Sequence, residues 1–548
     1  MIDEHETLAA FTRRWALALT AFESVSGGQG EVEIAHWLLA GLQAERVFDG
    51  CECWSFPVAE GDARHCVAMM VRGSGSETLI LTGHFDTVSI DDYGLLRPLA
   101  TQPEALTQAL RARLDTQAQT AAEQRARSDL ASGEFLPGRG LLDMKAGLAA
   151  GLAVCADFAS RKNAKGNLLF LAVPDEEVNS VGARAAAPAL TQIAQARALN
   201  FVGAINLDAI ADDSADGSRG QVIALGTIGK VLPTAYVVGV PAHSGFPLAG
   251  INAGALAGAI AARVEWAPEL TDDNAGETPG TLPSLLSVSD GKTGYDVTTP
   301  GSAFLTFNVL SYQRSPQQVM ESFEALCGEA VDGVCAALRQ RLSQTRSRDG
   351  ETVLDRAVRV MRYGELLKIV LESNPAHADD LAKSGSDLAA SKLPLPEQCR
   401  RMTERVWMLS GLSGPAVVTG FGSIPYLPTN LSDRPAARKM HAACEALVRN
   451  AGNDHGVNLK TTGYFAGISD MSFIGEADET ELGIVGANTP MWTASIRWPK
   501  ENGVAGIPTV NFGPWGRDYH TPLERIHVDY GFERLPRLLV DLTQRILA

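Results

Sequence analysis

The chain of 548 residues is too long for one compact core and should form two or more domains, and with 45% hydrophobic and 20% charged residues its composition excludes collagenous and disordered classes. With 47 basic against 64 acidic residues the formal net charge is -17, which disfavours nucleic acid and anionic membranes as partners, because both are bound through basic patches. No run approaches the roughly 18 apolar residues of a membrane span, the eight cysteines are scattered without a CxxC pair, and a reduced cytoplasmic location is the expectation.

The start, through Phe22, has acidic residues and an amphipathic pattern, which predicts a helix and not a signal peptide. Ser26 is placed to cap a second helix over 31–42. Residues 66–72 and 77–83 read as strands. Leu79, Ile80 and Leu81, bounded by polar residues, suit a strand covered on both faces of an α/β sheet. His84 then falls just past a strand's C-terminal end, where open α/β sheets place their ligand sites, and Asp86 is spaced to take the histidine's other ring N–H. Residues 103–130 form a polar insertion in which Leu106, Leu110 and Leu114 make one stripe of a surface helix.

Residues 138–145, GRGLLDMK, are a glycine-rich turn into an Ala-rich helix. Asp143 is therefore expected at a helix N-terminus, where free N–H groups stabilise a carboxylate whether or not it binds metal. Residues 167–173 read as another buried strand, followed by Asp175, Glu176 and Glu177, three carboxylates whose repulsion needs a nearby cation or solvent. Residues 201–207 are a third such strand, ending in Asp208.

From Gly226 the pattern changes. Residues 226–245 have β-type composition and reach His243, 252–266 read as a helix, 284–289 and 303–311 as strands, and 315–342 as a helix. This order predicts a sheet with helices on one face, inserted into the first domain. Leu354, Val358 and Met361 open a helical stretch that runs with breaks to Leu409, and 416–426 is the insert's last strand. The first domain resumes with a helix over 435–450, a strand over 459–464, and a strand over 508–513 that leads into the loop holding His520.

His84, Asp143, Glu177, Asp208 and His520, with Glu176 beside them, form an oxygen- and imidazole-rich set without thiolate. Such a set suits two divalent ions about 3.5–4 Å apart that share a bridging carboxylate and a water. Hydrolysis also needs one carboxylate that does not ligate, to take the water's proton and hand it to the leaving amine. An adjacent Glu pair supplies both roles.

GHFDTV, GRGLLDMKAG, PDEE, the Asp after a strand, PAHSG and the late histidine before TPLER occur in this order over most of the chain. With them the chain resembles the dinuclear zinc metallopeptidases that include aminoacylase, glutamate carboxypeptidase and succinyl-diaminopimelate desuccinylase, and within these an arginine-utilisation branch. The resemblance implies an α/β fold, a mixed, mostly parallel sheet flanked by helices in residues 1–225 and 430–548, with an inserted α+β lid or dimerisation domain over 226–429. It implies that His84 and Asp208 hold one metal, Glu177 and His520 the other, and that Asp143 bridges them. Glu176 would be the general base, Asp86 would orient His84, and His243 would stabilise the tetrahedral oxyanion, commonly across a dimer interface. The implied cofactors are two divalent ions, zinc first, with cobalt and manganese also compatible with His/Asp/Glu ligands.

The implied reaction is hydrolysis of an amide or peptide bond in a small amino-acid derivative, an N-acyl amino acid or an arginine-related compound. A dipeptidase or aminopeptidase is the alternative within enzymes, and a catalytically silent metal-binding regulatory protein the alternative of another class. Loss of a ligand or of the base would mark the silent protein, and every one is present. Two departures from the family bear on these expectations. The inserted domain is nearly twice the usual length, and an enlarged lid substitutes for the dimer partner in some relatives, so a homodimer through the lid stays open. The family's Gly-Gly-Thr-Asp loop stands here as Ala466, Gly467, Ile468, Ser469, Asp470. Lys230 and Arg314 are weaker candidates for pairing a substrate carboxylate, and Asp212, Asp213 and Asp216 for meeting a cationic group, with surface charge and a solvated turn as the respective alternatives.

Overall fold

The computed structural model describes residues 6–212, 214, 219–272, 281–345, 358–391, 393–499 and 502–548. The chain divides into two compact units: Met1–Thr227 with Thr429–Ala477 and Lys500–Ala548, and Ile228–Pro428 with Asp478–Pro499. Residues 478–499, expected in the first domain, cluster with the second unit. Their Val485 and Met491 are buried in that unit's apolar cores.

The first unit is built on an eight-stranded sheet. In spatial order its strands are Glu52–Pro57, His65–Arg72, Lys165–Val173, Ser74–His84, Asn200–Asn206, Thr509–Asn511, Val222–Ala224 and Lys460–Thr462. The four central strands, from Lys165–Val173 to Thr509–Asn511, run parallel; the sheet is mixed toward its edges. Alternation explains the apolar runs. Leu79 and Leu81, with Leu168, Phe170 and Ala172, point into one core, while Ile80, Leu169, Leu171 and Val173 point into another. Helices Leu8–Thr20, Ala146–Ser160 and Leu535–Leu547 cover the first face, and Val181–Arg197 covers the second.

Local expectations fail where a side chain finds a better partner. Helix Gln29–Ala44 starts after Gly28, and Ser26 does not cap it. Its hydroxyl donates instead to the Asp86 carboxylate at 2.7 Å. The polar insertion is two helices, Pro103–Gln117 and Ala121–Ser132, the second opened by a Thr120/Glu123 capping box. Its leucine stripe is buried: Leu106, Leu110 and Leu114 share a small core with Tyr93, Ala126 and Leu130.

The second unit carries the sheet Ser284–Asp290, Ser302–Ser311, Pro233–Val238, Ala416–Phe421 and Arg359–Arg362, with Gly229–Val231 paired to Ser302–Ser311. Helices Ala253–Val264 and Pro316–Thr345 pack on one face around Ala235, Leu305 and Phe307. Helices were expected on that face alone. The extra helices Tyr363–Ser373, His377–Ala389 and Leu395–Ser410 cover the other face, over Tyr236, Phe304 and Val418. The expected helix start at Val358 and Met361 is a strand, Arg359–Arg362, parallel to Ala416–Phe421, and Leu354 lies outside the described residues. Among the described residues no helix is long and apolar enough to cross a membrane.

Candidate metal centre

The parallel strands deliver the candidate residues to one end of the sheet. His84 is the last residue of its strand, Glu176 and Glu177 follow the strand that ends at Val173, and Asp208 follows the strand that ends at Asn206. His520 sits between two short paired strands, Trp515–Arg517 and Arg525–His527. Asn511 fixes Asp208 from the neighbouring strand: its Nδ2 donates to the Asp208 carbonyl at 3.0 Å and its Oδ1 accepts the Asp208 N–H at 3.2 Å. Asp175 and His520 both hold left-handed backbone, φ 68 and 60, a conformation that costs a non-glycine residue on the order of 1 kcal/mol and concentrates at functional sites.

Asp143 is not a helix cap. It lies in the turn Leu141–Lys145 that precedes the helix, after Gly140 with φ 72, where a Cβ would meet Thr87. The backbone N–H groups of Gly140 and Asp143 are taken by the buried Glu524 carboxylate, at 2.9 and 3.5 Å. Arg139 holds Glu524 at 2.8 Å, and Asp92 holds Arg139 bidentately.

Two overlapping groups result, His84 with Asp143 and Asp208, and Asp143 with Glu177 and His520, each with its ligand atoms within 4.8 Å of one another. His84 Nε2 lies 3.3 Å from Asp143 Oδ1, 3.8 Å from Asp208 Oδ1 and 3.9 Å from Glu176 Oε2. His520 Nε2 lies 3.2 Å from Asp143 Oδ2 and 3.1 Å from Glu177. One aspartate thus presents an oxygen to each imidazole. Although His84 is buried, its Nε2 has no aligned hydrogen-bond partner among the described residues, an arrangement that is costly unless the nitrogen ligates something. Glu176 belongs to neither group.

The electrostatics point the same way. Burial opposes charge on His84, but Asp143, Asp208 and Asp86 outweigh it and push the imidazole well above its usual range. His520 is pushed up to about 10, burial again being outweighed, here by Asp143 and Glu177. Burial would raise Asp143, yet His520 and His84 hold it below the usual carboxylate range. Burial pushes Glu176 far upward, and Glu177 and Asp208 upward as well. Three carboxylates, Asp143, Glu177 and Asp208, around two imidazoles are a set that could hold divalent cations, whose charge would relieve the repulsion among them and Glu176.

Asp86 supports the centre differently from the expectation. His84 Nδ1 lies 3.1 Å from the Asp86 carbonyl oxygen and 3.5 Å from its carboxylate. The carboxylate accepts the backbone N–H groups of Glu176 and Glu177 at 3.1 and 3.3 Å, besides the Ser26 hydroxyl. Behind it Arg64 donates to the buried Asp175 at 2.7 Å, and its charge favours the ionised forms of both Asp175 and Glu31. Burial pushes Asp175 up to about 6 and Glu31 up to about 7. Arg64→Met should therefore destabilise the fold by about 3 kcal/mol, the lower end for removing one partner of a buried pair, because Arg64 keeps 22% of its side chain exposed. Denaturant unfolding measures this, and a loss below about 1 kcal/mol would refute it.

Residue reading missed Glu524 and Arg64, and it left Asp470 without a role. Asp470 is buried beside His84 and pushed up to about 7 by burial. Glu524 lies within TPLER and Asp470 ends the loop 466–470, and that adjacency is the signal the sequence carries for these two. In the second unit, His243 is exposed and its Nδ1 accepts the Gly245 N–H at 3.0 Å. Lys230 stacks over the Tyr426 ring at 4.9 Å. Arg314 donates to the Thr271 carbonyl and to Ser322, 3.7 Å from Asp272, which takes up much of the guanidinium proposed for a substrate carboxylate. Asp212 closes a turn by accepting the N–H groups of Ser214 and Arg219, while Asp213 and Asp216 lie outside the described residues.

Residues 109–507 match the profile of peptidase family M20/M25/M40. That span contains Asp143, Glu176, Glu177 and Asp208, while His84 and His520 lie outside it. The chain is similar to protein RocB of Bacillus subtilis, 28% identical over 97% of this chain and 94% of that protein. It is similar to protein YqjN of the same organism, 27% identical over 95% and 94% of the two chains. Its fold is like that of aminopeptidase PepT from Bacillus cereus, TM-score 0.54 at 14% identity, over 98% of this chain and 99% of that one. With the profile matched over more than half of its residues, the chain belongs to peptidase family M20/M25/M40 and is a metallohydrolase of that family.

Proposed function

We propose that this protein is a two-metal hydrolase that cleaves an amide or peptide bond in a small amino-acid derivative, an N-acyl amino acid or an arginine-related compound. The observation that carries the reading is Asp143, whose two oxygens stand 3.3 and 3.2 Å from the Nε2 atoms of His84 and His520. His84 and Asp208 would hold one ion, Glu177 and His520 the other, with Asp143 between. The donor set accepts zinc, cobalt or manganese, and zinc is the reading adopted from the sequence resemblance. Bound there, the ions would polarise the scissile carbonyl and lower the pKa of water.

The rest falls to the chain's own groups. Glu176 stands 3.9 Å from His84 Nε2 without belonging to either ligand group, so its carboxylate would be free to take a proton from the attacking water and deliver it to the leaving amine. Asp86 holds the backbone of Glu176 and Glu177 and the ring of His84 in one network. His243 would donate to the oxyanion, a role that rests on the PAHSG motif alone. The arginine-related substrate rests on the sequence resemblance to the arginine-utilisation branch alone. The free cysteines suit a reducing compartment, the cytoplasm.

Chelation should abolish turnover, and added zinc, cobalt or manganese should restore it. The reading is tested by metal content followed by a panel of N-acyl amino acids, arginine derivatives and dipeptides. Two ions per chain with turnover of an acylated or arginine-derived member supports it. Turnover confined to dipeptides makes the protein a dipeptidase, and two ions without turnover of any member transfers the weight to a silent metal-binding role.

A further inference from the structure

The two helices Pro103–Gln117 and Ala121–Ser132 contribute no candidate ligand, yet two charged residues of the second, Arg125 and Asp129, bond to the segment that carries His520. We propose that this insertion is a positioning clamp for His520, acting through Asp129 and Arg125. The proposal rests on the reading of His520 as a metal ligand.

His520 does little to hold itself. Its side chain is 41% exposed, and its backbone is left-handed at φ 60, so the imidazole depends on whatever fixes the loop 518–524. That loop is closed by the pairing of Arg517 with Arg525. Arg525 is fully buried, and its guanidinium donates to Asp129 at 2.9 and 2.6 Å from Nε and Nη2. Arg517 donates to both Asp129 oxygens at 3.2 and 3.1 Å. A single carboxylate from the insertion therefore gathers both arginines at the neck of the loop, over the Phe135 ring.

One turn earlier on the same helix face, Arg125 donates to Asp518 at 3.2 Å, and Asp518 also accepts from Arg525 at 2.6 Å. Asp518 is two residues before His520. The grip thus includes the neck and the first residue of the loop. Two guanidinium groups buried at this spot are tolerable only with their carboxylates in place, which ties the loop's position to the insertion.

Metal-free full-length protein titrated with Co(II), followed by the ion's visible absorption, reads each binding step separately. In Asp129→Asn the step assigned to Glu177 and His520 should loosen about 10- to 100-fold, the usual effect of losing a group that orients a ligand. The step assigned to His84 and Asp208 should hold, and Asp129→Glu should recover part of the loss. An unchanged pair of steps in folded Asp129→Asn would overturn the clamp, as would equal loosening of both, which marks general loss of structure. If Asp129→Asn does not fold, Arg125→Gln, at a guanidinium 26% exposed, carries the same test with the same outcomes. A wild-type protein that binds no Co(II) would overturn the metal reading itself, whereas wild-type binding of two ions with unaffected variants sinks the clamp alone.

Discussion

Glu176→Gln is expected to lower kcat by about two to four orders of magnitude, the usual contribution of a positioned general base, with both metal ions still bound. The amide has the size and shape of the carboxylate but does not accept a proton at neutral pH. The backbone of Glu176 is held independently, its N–H donating to Asp86 at 3.1 Å, so the change should stay in the side chain. Glu176 also stands outside both ligand groups, and its nearest imidazole nitrogen is 3.9 Å away. Initial rates and elemental analysis on the same preparation separate the two effects. Full turnover in Glu176→Gln would remove the base assignment, and loss of metal would make Glu176 a ligand.

The parts of this architecture that were legible in the sequence are those fixed by period and by strand ends. Leu79–Ile80–Leu81 and residues 167–173 read as strands buried on both faces because no polar residue interrupts them, and each is buried between two cores. Once those strands are parallel, His84, Glu177 and Asp208 arrive at one end of the sheet by topology alone. Asp143 was harder, since a carboxylate before an Ala-rich helix carries the same local pattern whether it caps the helix or faces the neighbouring strand ends. What decides it is Glu524, 381 residues away, which takes the turn's N–H groups. No periodicity reports a partner at that separation.

The same limit explains the other departures. Ser26 has the composition of a cap and lost that role to Asp86, 60 residues on. The strand Arg359–Arg362 lies inside a stretch of helical composition, and only its pairing with Ala416–Phe421 makes it a strand. The spacing of Leu106, Leu110 and Leu114 makes a stripe, but whether that stripe faces solvent or a second helix depends on Ala126 and Leu130. In each case local propensity was a weak prior that a distant contact overrode.

Asp143→Ala should have the larger effect: both ions lost and turnover reduced by about four or more orders of magnitude, since a two-metal clamp supplies several kcal/mol and each 1.36 kcal/mol is tenfold. The reason is geometric. Asp143 is the member shared by the two groups, so its removal leaves His84 with Asp208 on one side and Glu177 with His520 on the other, and neither pair suffices for a tightly held ion. Asp208→Ala takes a ligand from one group only and should release one ion in preference to the other. Electrostatics strengthens the contrast, because Asp143 is a major counter-charge for both imidazoles in the metal-free protein. Elemental analysis after gel filtration, with thermal unfolding to establish that each variant is folded, distinguishes the cases. If Asp143→Ala keeps one ion as firmly as the wild type, the bridging role fails and Asp143 is a ligand to a single metal. If it keeps both, the carboxylate serves only to neutralise the two histidines, and the ions are held by other groups.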